Sequence, residues 1–234
     1  MCTVTYLPVE GGYILTHNRD EAPKRSTQHL TRENDLLFPR DAGAGGTWIA
    51  VHQHGTTACV LNGAFLKHRH EPPYRRSRGL VLLDFFAFGD PDAFWKNYDL
   101  TDIEPFTLLF FAEGVVGEGR WDGVQKHLRY LEPDGSHFWC SATLYPPDMQ
   151  LQREAVFHNW LKAQDSELQP ADLLRLHRTG SVGDPQNDYV MNREDRVRTV
   201  SISQVVSDAK QLRLRYETVP EGTHEESGFY VKSS

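Results

Sequence analysis

Two runs rich in β-branched and aromatic residues, Thr3 to Leu7 and Tyr13 to Thr16, stand on either side of Glu10-Gly11-Gly12. Such residues favour extended backbone, and glycine supplies the left-handed conformations that tight turns use. The opening stretch CTVTYLPVEGGYILTHNRDE is therefore expected to fold back on itself as an antiparallel hairpin. Three registers are open. A two-residue turn at Glu10-Gly11 pairs Cys2 with Arg19, a three-residue loop pairs it with Asp20, and a turn at Gly11-Gly12 pairs it with Glu21. Directly opposed β carbons lie about 4.5–5.5 Å apart, so every register sets the Cys2 thiol beside the cluster Asn18-Arg19-Asp20-Glu21.

That pairing has chemical content. An unperturbed thiol has a pKa of about 8.5 and an α-amine one of about 7.7–8. If Met1 is removed, Cys2 carries both a nucleophile and, in its own amine, a general base. Arg19 or the neighbouring Asn18 amide can stabilise a thiolate or bind substrate, and Asp20 can hold an α-ammonium by a charge-assisted hydrogen bond.

The rest of the chain alternates blocks of strands and helices. Thr47 to His52 and Thr57 to Leu61 form a second hairpin around Gly55. The segment SRGLVLLDFFAFGD is helical, with Ser77 as N-cap and Gly89 as stop, and Asp90-Pro91 starts a short helix through Tyr98. EPFTLLFFAEG, KHLRYLEPDG and SHFWCSATLY are successive strands. Met149 to Leu161 has helical spacing, and PADLLRLHRTG is a further helix ended by Gly180. RVRTVSISQVV, LRLRYETV and GFYVK close the chain as strands, and Gly183 to Met191 is an exposed loop. Hairpins outnumber βαβ units, so the fold class is α+β, with mainly antiparallel sheets and helices outside them, in one domain over residues 1–234.

The 234 residues carry a formal net charge of -7, which argues against nucleic acid or an anionic membrane surface as a general partner. No apolar run reaches the roughly 18 residues of a membrane span, and no secretory signal opens the chain. Three cysteines without metal-ligand spacing fit a reducing compartment, so the cytoplasm is expected. The His52/His54 and His68/His70 pairs lack a third ligand at a telling distance, and no metal or other cofactor is implied. Gly45-Gly46 makes a tight strand entry, Trp48 belongs to the core or a pocket wall, and Cys59 and Cys140 pack as inert side chains.

These motifs resemble the NRDE family, which includes the transport and Golgi organisation 2 proteins. The likeness lies in MCTVTYLP, GYILTHNRDE with Arg25, GGTWIAV, CVLNGAF, RSRG and RVRTVSISQ, and covers most of the chain. The family in turn resembles cysteine N-terminal-nucleophile hydrolases such as bile-salt hydrolases and penicillin V acylases. That resemblance implies a four-layer αββα sandwich and hydrolysis of a non-peptide C–N bond in a small molecule. It implies Cys2 as nucleophile, Asp20 as the carboxylate that orients its amine, Arg19 as the nearest equivalent of the catalytic arginine, with His17 slightly earlier, Asn62 as an oxyanion-hole amide, and Arg198, or less closely Arg196, as a late arginine near the thiol. Those acylases have a further oxyanion asparagine where this chain has Ser141. Losing one such donor costs about 2.7–4 kcal/mol in the transition state. The alternative is a non-catalytic carrier or chaperone of a hydrophobic ligand such as haem or an acyl group. Arg19 and Arg198 are expected to converge on Cys2 and to favour an anionic or acyl-bearing small molecule.

Overall fold

A computed structural model describes residues 2–27 and 29–230. Strands β1 (Cys2–Val9) and β2 (Gly12–Glu21) form the expected first hairpin. Its loop is Glu10-Gly11, with Gly11 at φ 75°, and this selects the register Cys2↔Arg19. β3 (Leu30–Glu33) and β4 (Leu36–Pro39) form a hairpin not expected from the sequence. Its turn residues, Asn34 and Asp35, both have positive φ; this Asn-Asp pair was the available signal, since these two residues tolerate that conformation best after glycine. β5 (Ile49–His52) and β6 (Thr57–Asn62) are the second expected hairpin.

Helices α1 (Arg78–Phe88) and α2 (Pro91–Asn97) follow. The Ser77 hydroxyl accepts the Leu80 amide, and Asp90 Oδ1 accepts the Ala93 amide at 2.6 Å. Next come β7 (Phe106–Ala112), β8 (Val115–Trp121), β9 (Lys126–Leu131) and β10 (His137–Cys140). The sequence pattern hides β8 because Gly117 and Gly119 interrupt it. Both are required: a β carbon at Gly117 would meet the Phe110 ring at 2.0 Å, and one at Gly119 the Trp95 indole at 1.8 Å. The chain then runs through α3 (Pro147–Lys162) and α4 (Pro170–Thr179), β11 (Asn192–Arg193), β12 (Val197–Ser207), β13 (Gln211–Thr218) and β14 (His224–Tyr230). Of the expected last strand, Val231 and Lys232 lie outside the described residues. The segment from Gly183 to Met191 is irregular, as expected, but it is only partly exposed: Tyr189 and Met191 are buried.

Two antiparallel sheets result. One has the order β10-β1-β2-β12-β13-β14, with β11 beside β12; the other runs β3-β4-β5-β6-β7-β8-β9. They face each other around one apolar cluster that includes Cys2, Val4, Leu15, Trp48, Cys59, Leu109 and Tyr216. α3 and α4 pack on the first sheet, and α1 packs on β5 and β6 of the second. Each sheet thus buries one face against the other sheet and part of its second face under helices, which is the α+β sandwich with helices outside.

Candidate functional site

Strand alternation sorts the amino-terminal cluster onto two faces. Cys2, His17 and Arg19 point between the sheets, whereas Thr3, Asn18 and Asp20 point toward α3 and α4. The Cys2 and Arg19 side chains share the floor of a cleft of about 410 Å³, together with Trp48 and Asn62 from the second sheet. Arg25, His70, Arg76 and Arg78 line the same cleft.

Arg19 is almost fully buried and held on three sides. It donates to an oxygen of Asp41 and to the Arg25 carbonyl at 2.8 Å, and its guanidinium carbon lies 3.8 Å from the Trp48 ring centroid. Arg25 bridges Asp41 and Glu21 at 2.8 and 2.7 Å. Burial works against ionised Asp41, but the Ala44 amide, Arg19 and Arg25 outweigh it and hold the carboxyl below its usual range. Asp41 was not singled out in the sequence; only a contact between residues 22 positions apart gives it a role. The loop after it is pressed onto α1, where a β carbon on Gly46 would lie 2.4 Å from the Gly79 carbonyl carbon. The Gly45-Gly46 pair therefore serves a close approach of two backbones.

Burial pushes the Cys2 thiol up, Asp20 adds to that, and Arg19 opposes it. The Cys2 carbonyl accepts the Ser141 amide at 2.9 Å. The Ser141 hydroxyl donates to the Asn62 carbonyl at 2.8 Å and lies 3.0 Å from the Thr143 hydroxyl. Ser141 thus ties the Cys2 strand to Asn62 rather than lining the cleft. Gly63, next to Asn62, turns with φ 82°.

On the other face, Asp20 accepts hydrogen bonds from Thr199 at 2.7 Å and Tyr145 at 3.0 Å. A β-bulge at Val200 makes this possible, setting Thr199 opposite Asp20 and Ser201 opposite Arg19. Burial raises the Asp20 carboxyl; Arg153, Thr199 and Tyr145 oppose the shift. Arg153 is fully buried, 4.0 Å from the Tyr145 ring, and donates to Thr3. Asn18 is committed to α4 and the following loop: its amide donates to the His177 and Tyr189 carbonyls at 2.9 and 2.8 Å, and its oxygen lies 2.7 Å from His177 Nδ1. Asn18 therefore braces the hairpin from behind the cleft.

Arg198 stands opposite Glu21 in the strand register and engages Asp195 at 3.4 Å. It does not line the cleft, so the expected convergence of Arg19 and Arg198 is replaced by convergence of Arg19 and Arg25 on Asp41. Arg198 is held by Asp195, three residues earlier in the turn before β12, a pairing that its spacing from Cys2 does not reveal. Of the other expected features, His68 and His70 both reach Glu104 Oε1 at 3.0 Å, and Arg78 reaches its other oxygen at 2.9 Å. Cys59 is buried, and Cys140 is half-buried with its thiol pushed by burial to about 12. Met1, on whose removal a free Cys2 amine depends, lies outside the described residues. Among the described residues no helix is long and apolar enough to cross a membrane.

The family model described as Transport and Golgi organisation 2 matches residues 1–219. No curated protein matches the sequence. Solved structures do resemble the fold. A mutant of the conjugated bile acid hydrolase from Clostridium perfringens aligns with a TM-score of 0.61 at 9% identity, over 97% of this chain and 92% of that one. A second variant of the same hydrolase gives 0.59 at 9% identity, with the same coverage. The Caenorhabditis elegans N-acylethanolamine-hydrolyzing acid amidase ortholog gives 0.51 at 13% identity, over 88% of this chain and 92% of that one. At such identities the likeness establishes the fold alone, an α+β sandwich of two antiparallel sheets, as the sequence resemblance implied.

Proposed function

This chain belongs to the Transport and Golgi organisation 2 family, and we propose that it is a cysteine amidohydrolase acting on a non-peptide C–N bond of a small molecule. The observation that carries the reading is the register Cys2↔Arg19: it supports a thiol and a guanidinium side by side on the floor of one cleft. The fold shared with a bile acid hydrolase and an acid amidase agrees with it.

In this reading the Cys2 sulfur attacks the substrate carbonyl carbon, and an S–C bond forms as the C–N bond breaks. Arg19 stabilises the thiolate. The oxyanion is held at the Asn62 end of the cleft by backbone amide donation. The leaving nitrogen takes the proton that the thiol gave up. Water then hydrolyses the thioester and returns a proton to sulfur. A free Cys2 amine, oriented by Asp20, serves as base when Met1 has been removed. Arg25 and Arg76 at the cleft wall suit a substrate with a carboxylate or another anion. Three free cysteines suit a reducing compartment, and we place the protein in the cytoplasm.

The test is acyl transfer to Cys2. Incubation with a panel of N-acyl amides should add an acyl mass to the intact protein. That mass should map to the Cys2 peptide, be released by hydroxylamine and be lost in Cys2→Ala. One observation favours a second reading, a carrier of a hydrophobic ligand: the Ser141 hydroxyl is spent on the Asn62 carbonyl, which leaves one fewer oxyanion donor. Saturable binding of an unreacted acyl compound or haem that survives Cys2→Ala would select the carrier.

A further inference from the structure

Behind the cleft floor lies a group of polar side chains for which the reaction above has no use. His17 is 0% exposed, and neither ring nitrogen has a hydrogen-bond partner among the described residues. It stands directly opposite Ser203 on β12, and Ser201 stands opposite Arg19. The hydroxyls of Ser201 and Ser203 and the indole N–H of Trp48 are likewise buried without a partner among the described residues. Strand alternation puts His17, Ser201 and Ser203 on the inter-sheet face that carries Cys2 and Arg19. Val4 is the direct partner of His17 on β1 and Cys2 the direct partner of Arg19, so His17 and Cys2 are diagonal neighbours. Such neighbours are about 7–8 Å apart at the backbone, closer between side chains. That is a separation one water can bridge.

Buried polar atoms are almost always satisfied, and four on one face, with a fifth on Trp48 across the sandwich, call for an explanation. Two hydroxyls and a neutral imidazole offer both donors and acceptors, the set that holds an ordered water with two to four bonds. The geometry points to His17 as a positioning residue for Cys2: with Ser201 and Ser203 it holds an ordered water that donates a hydrogen bond to the sulfur and favours the thiolate. Burial keeps the His17 imidazole neutral, with His177 and Arg19 adding to the effect. Neutrality suits this role, because one ring nitrogen accepts while the other donates. Among the described residues, the titratable groups around it are Arg19 on its own strand, Cys2 on β1, Tyr216 opposite Ser203 on β13, and His177 on α4 behind the strand. Cys59 sits across the sandwich in the same cluster.

This inference rests on the cysteine-hydrolase reading, and the two fail separately in one experiment. The pH profile of Cys2 alkylation by iodoacetamide is read from the mass of the Cys2 peptide in wild type, His17→Phe and His17→Gln. Phenylalanine fills the space without a polar atom, whereas glutamine keeps a donor and an acceptor. His17→Phe should move the midpoint up by about one unit, an approximately tenfold slower reaction at pH 7. His17→Gln should stay within about threefold of wild type, since hydrogen bonding and not titration is what it must replace. A wild-type Cys2 that resists alkylation at every pH overturns the hydrolase reading and this inference together. A reactive wild type whose profile coincides with that of folded His17→Phe overturns the role of His17 alone, as does a folded His17→Gln that behaves like His17→Phe. If His17→Phe does not fold, histidine ¹⁵N spectra of wild type decide. Alkylation of Cys2 should shift the His17 ring signals, and unmoved signals overturn the inference.

Discussion

Ser141 donates its hydroxyl hydrogen to the Asn62 carbonyl at 2.8 Å, and its amide donates to the Cys2 carbonyl at 2.9 Å. Asn62 ends a strand of one sheet and Cys2 begins a strand of the other. One small residue therefore ties the Cys2 strand to the Asn62 end of the cleft. Ser141→Ala removes the link and leaves a buried carbonyl short of a donor, which costs about 1–3 kcal/mol. Urea unfolding should show that loss. Acylation of Cys2 should slow by more than the stability change explains, because the unfolded fraction stays small.

Asp20 gives a pH dependence whose sign follows from its burial. Burial raises its carboxyl, so between the unfolded value of about 3.9 and the raised folded value the native state binds the extra proton. Stability from this group is present below the unfolded value and falls as pH rises through the folded one. Asp20→Asn escapes that penalty. Its stability relative to wild type should therefore improve from pH 4 to pH 7 in urea titrations. Its Cys2 acylation at pH 7 should nevertheless fall in protein with Met1 removed, because the amine loses its carboxylate. A stability difference that does not change with pH would mean that Asp20 is not raised.

The first hairpin was legible because its turn, β-branched runs and polar cluster are local. Even so, three registers stood open until Gly11 fixed a two-residue loop. The faces were harder to read. Asn18 and Arg19 are adjacent in sequence yet end on opposite sides of a sheet, one on α4 and one in the cleft. Asp41, Tyr145 and Thr199 join the site only through contacts over long sequence distances. Arg198 is misjudged from sequence because it stands two pairs beyond Arg19, opposite Glu21, and engages Asp195 in the preceding turn. The strand β8 was missed for a packing reason, since its two glycines make room for Phe110 and Trp95.

Arg19 has two separable roles. Its fork grips Asp41 and the Arg25 carbonyl, and its charge acts on Cys2. Arg19→Ala leaves the buried Asp41 with Arg25 as its one cationic partner among the described residues, and breaking a buried pair costs about 3–5 kcal/mol. It should also raise the Cys2 thiol, read as an upward shift of the alkylation midpoint. Arg19→Lys keeps a charge but not the fork or the full stacking on Trp48. It should recover most of the alkylation profile and only part of the stability. An alkylation profile unchanged in Arg19→Ala would confine Arg19 to structure.

Gly46 tests whether the cleft wall depends on close backbone packing. Its absent β carbon would lie 2.4 Å from the Gly79 carbonyl carbon and 2.6 Å from the Leu80 nitrogen. Backbone cannot move aside as a side-chain tip can. Gly46→Ala should cost about 1–3 kcal/mol and displace the loop that carries Asp41. The Cys2 alkylation rate should change with it, whereas Gly55→Ala, in an open turn 9 positions on in the numbering, should lower stability through its φ of 92° without altering Cys2.

The charge at the cleft mouth can be tested before any substrate is known. Arg19 and Arg78 are each committed to a buried or half-buried carboxylate. Arg25 and Arg76 are each 36% exposed at the side chain, so they keep guanidinium surface for an incoming anion while they pair with Glu21, Asp41 and Asp84. Iodoacetate and iodoacetamide are nearly the same size and differ by one negative charge. The ratio of their rates at Cys2, divided by the same ratio for free cysteine, isolates the field of the cleft. That normalised ratio should exceed one in wild type and fall about 3–10-fold in the Arg25→Ala, Arg76→Ala double variant, the effect of losing roughly 1 kcal/mol of attraction. Added salt should compress the wild-type ratio, since the Debye length shrinks from about 10 Å at 0.1 M to 3 Å at 1 M. A ratio of one or below in wild type at low salt would remove the case for an anionic substrate. The thiol and its arginine would stand, but the substrate would be a neutral amide.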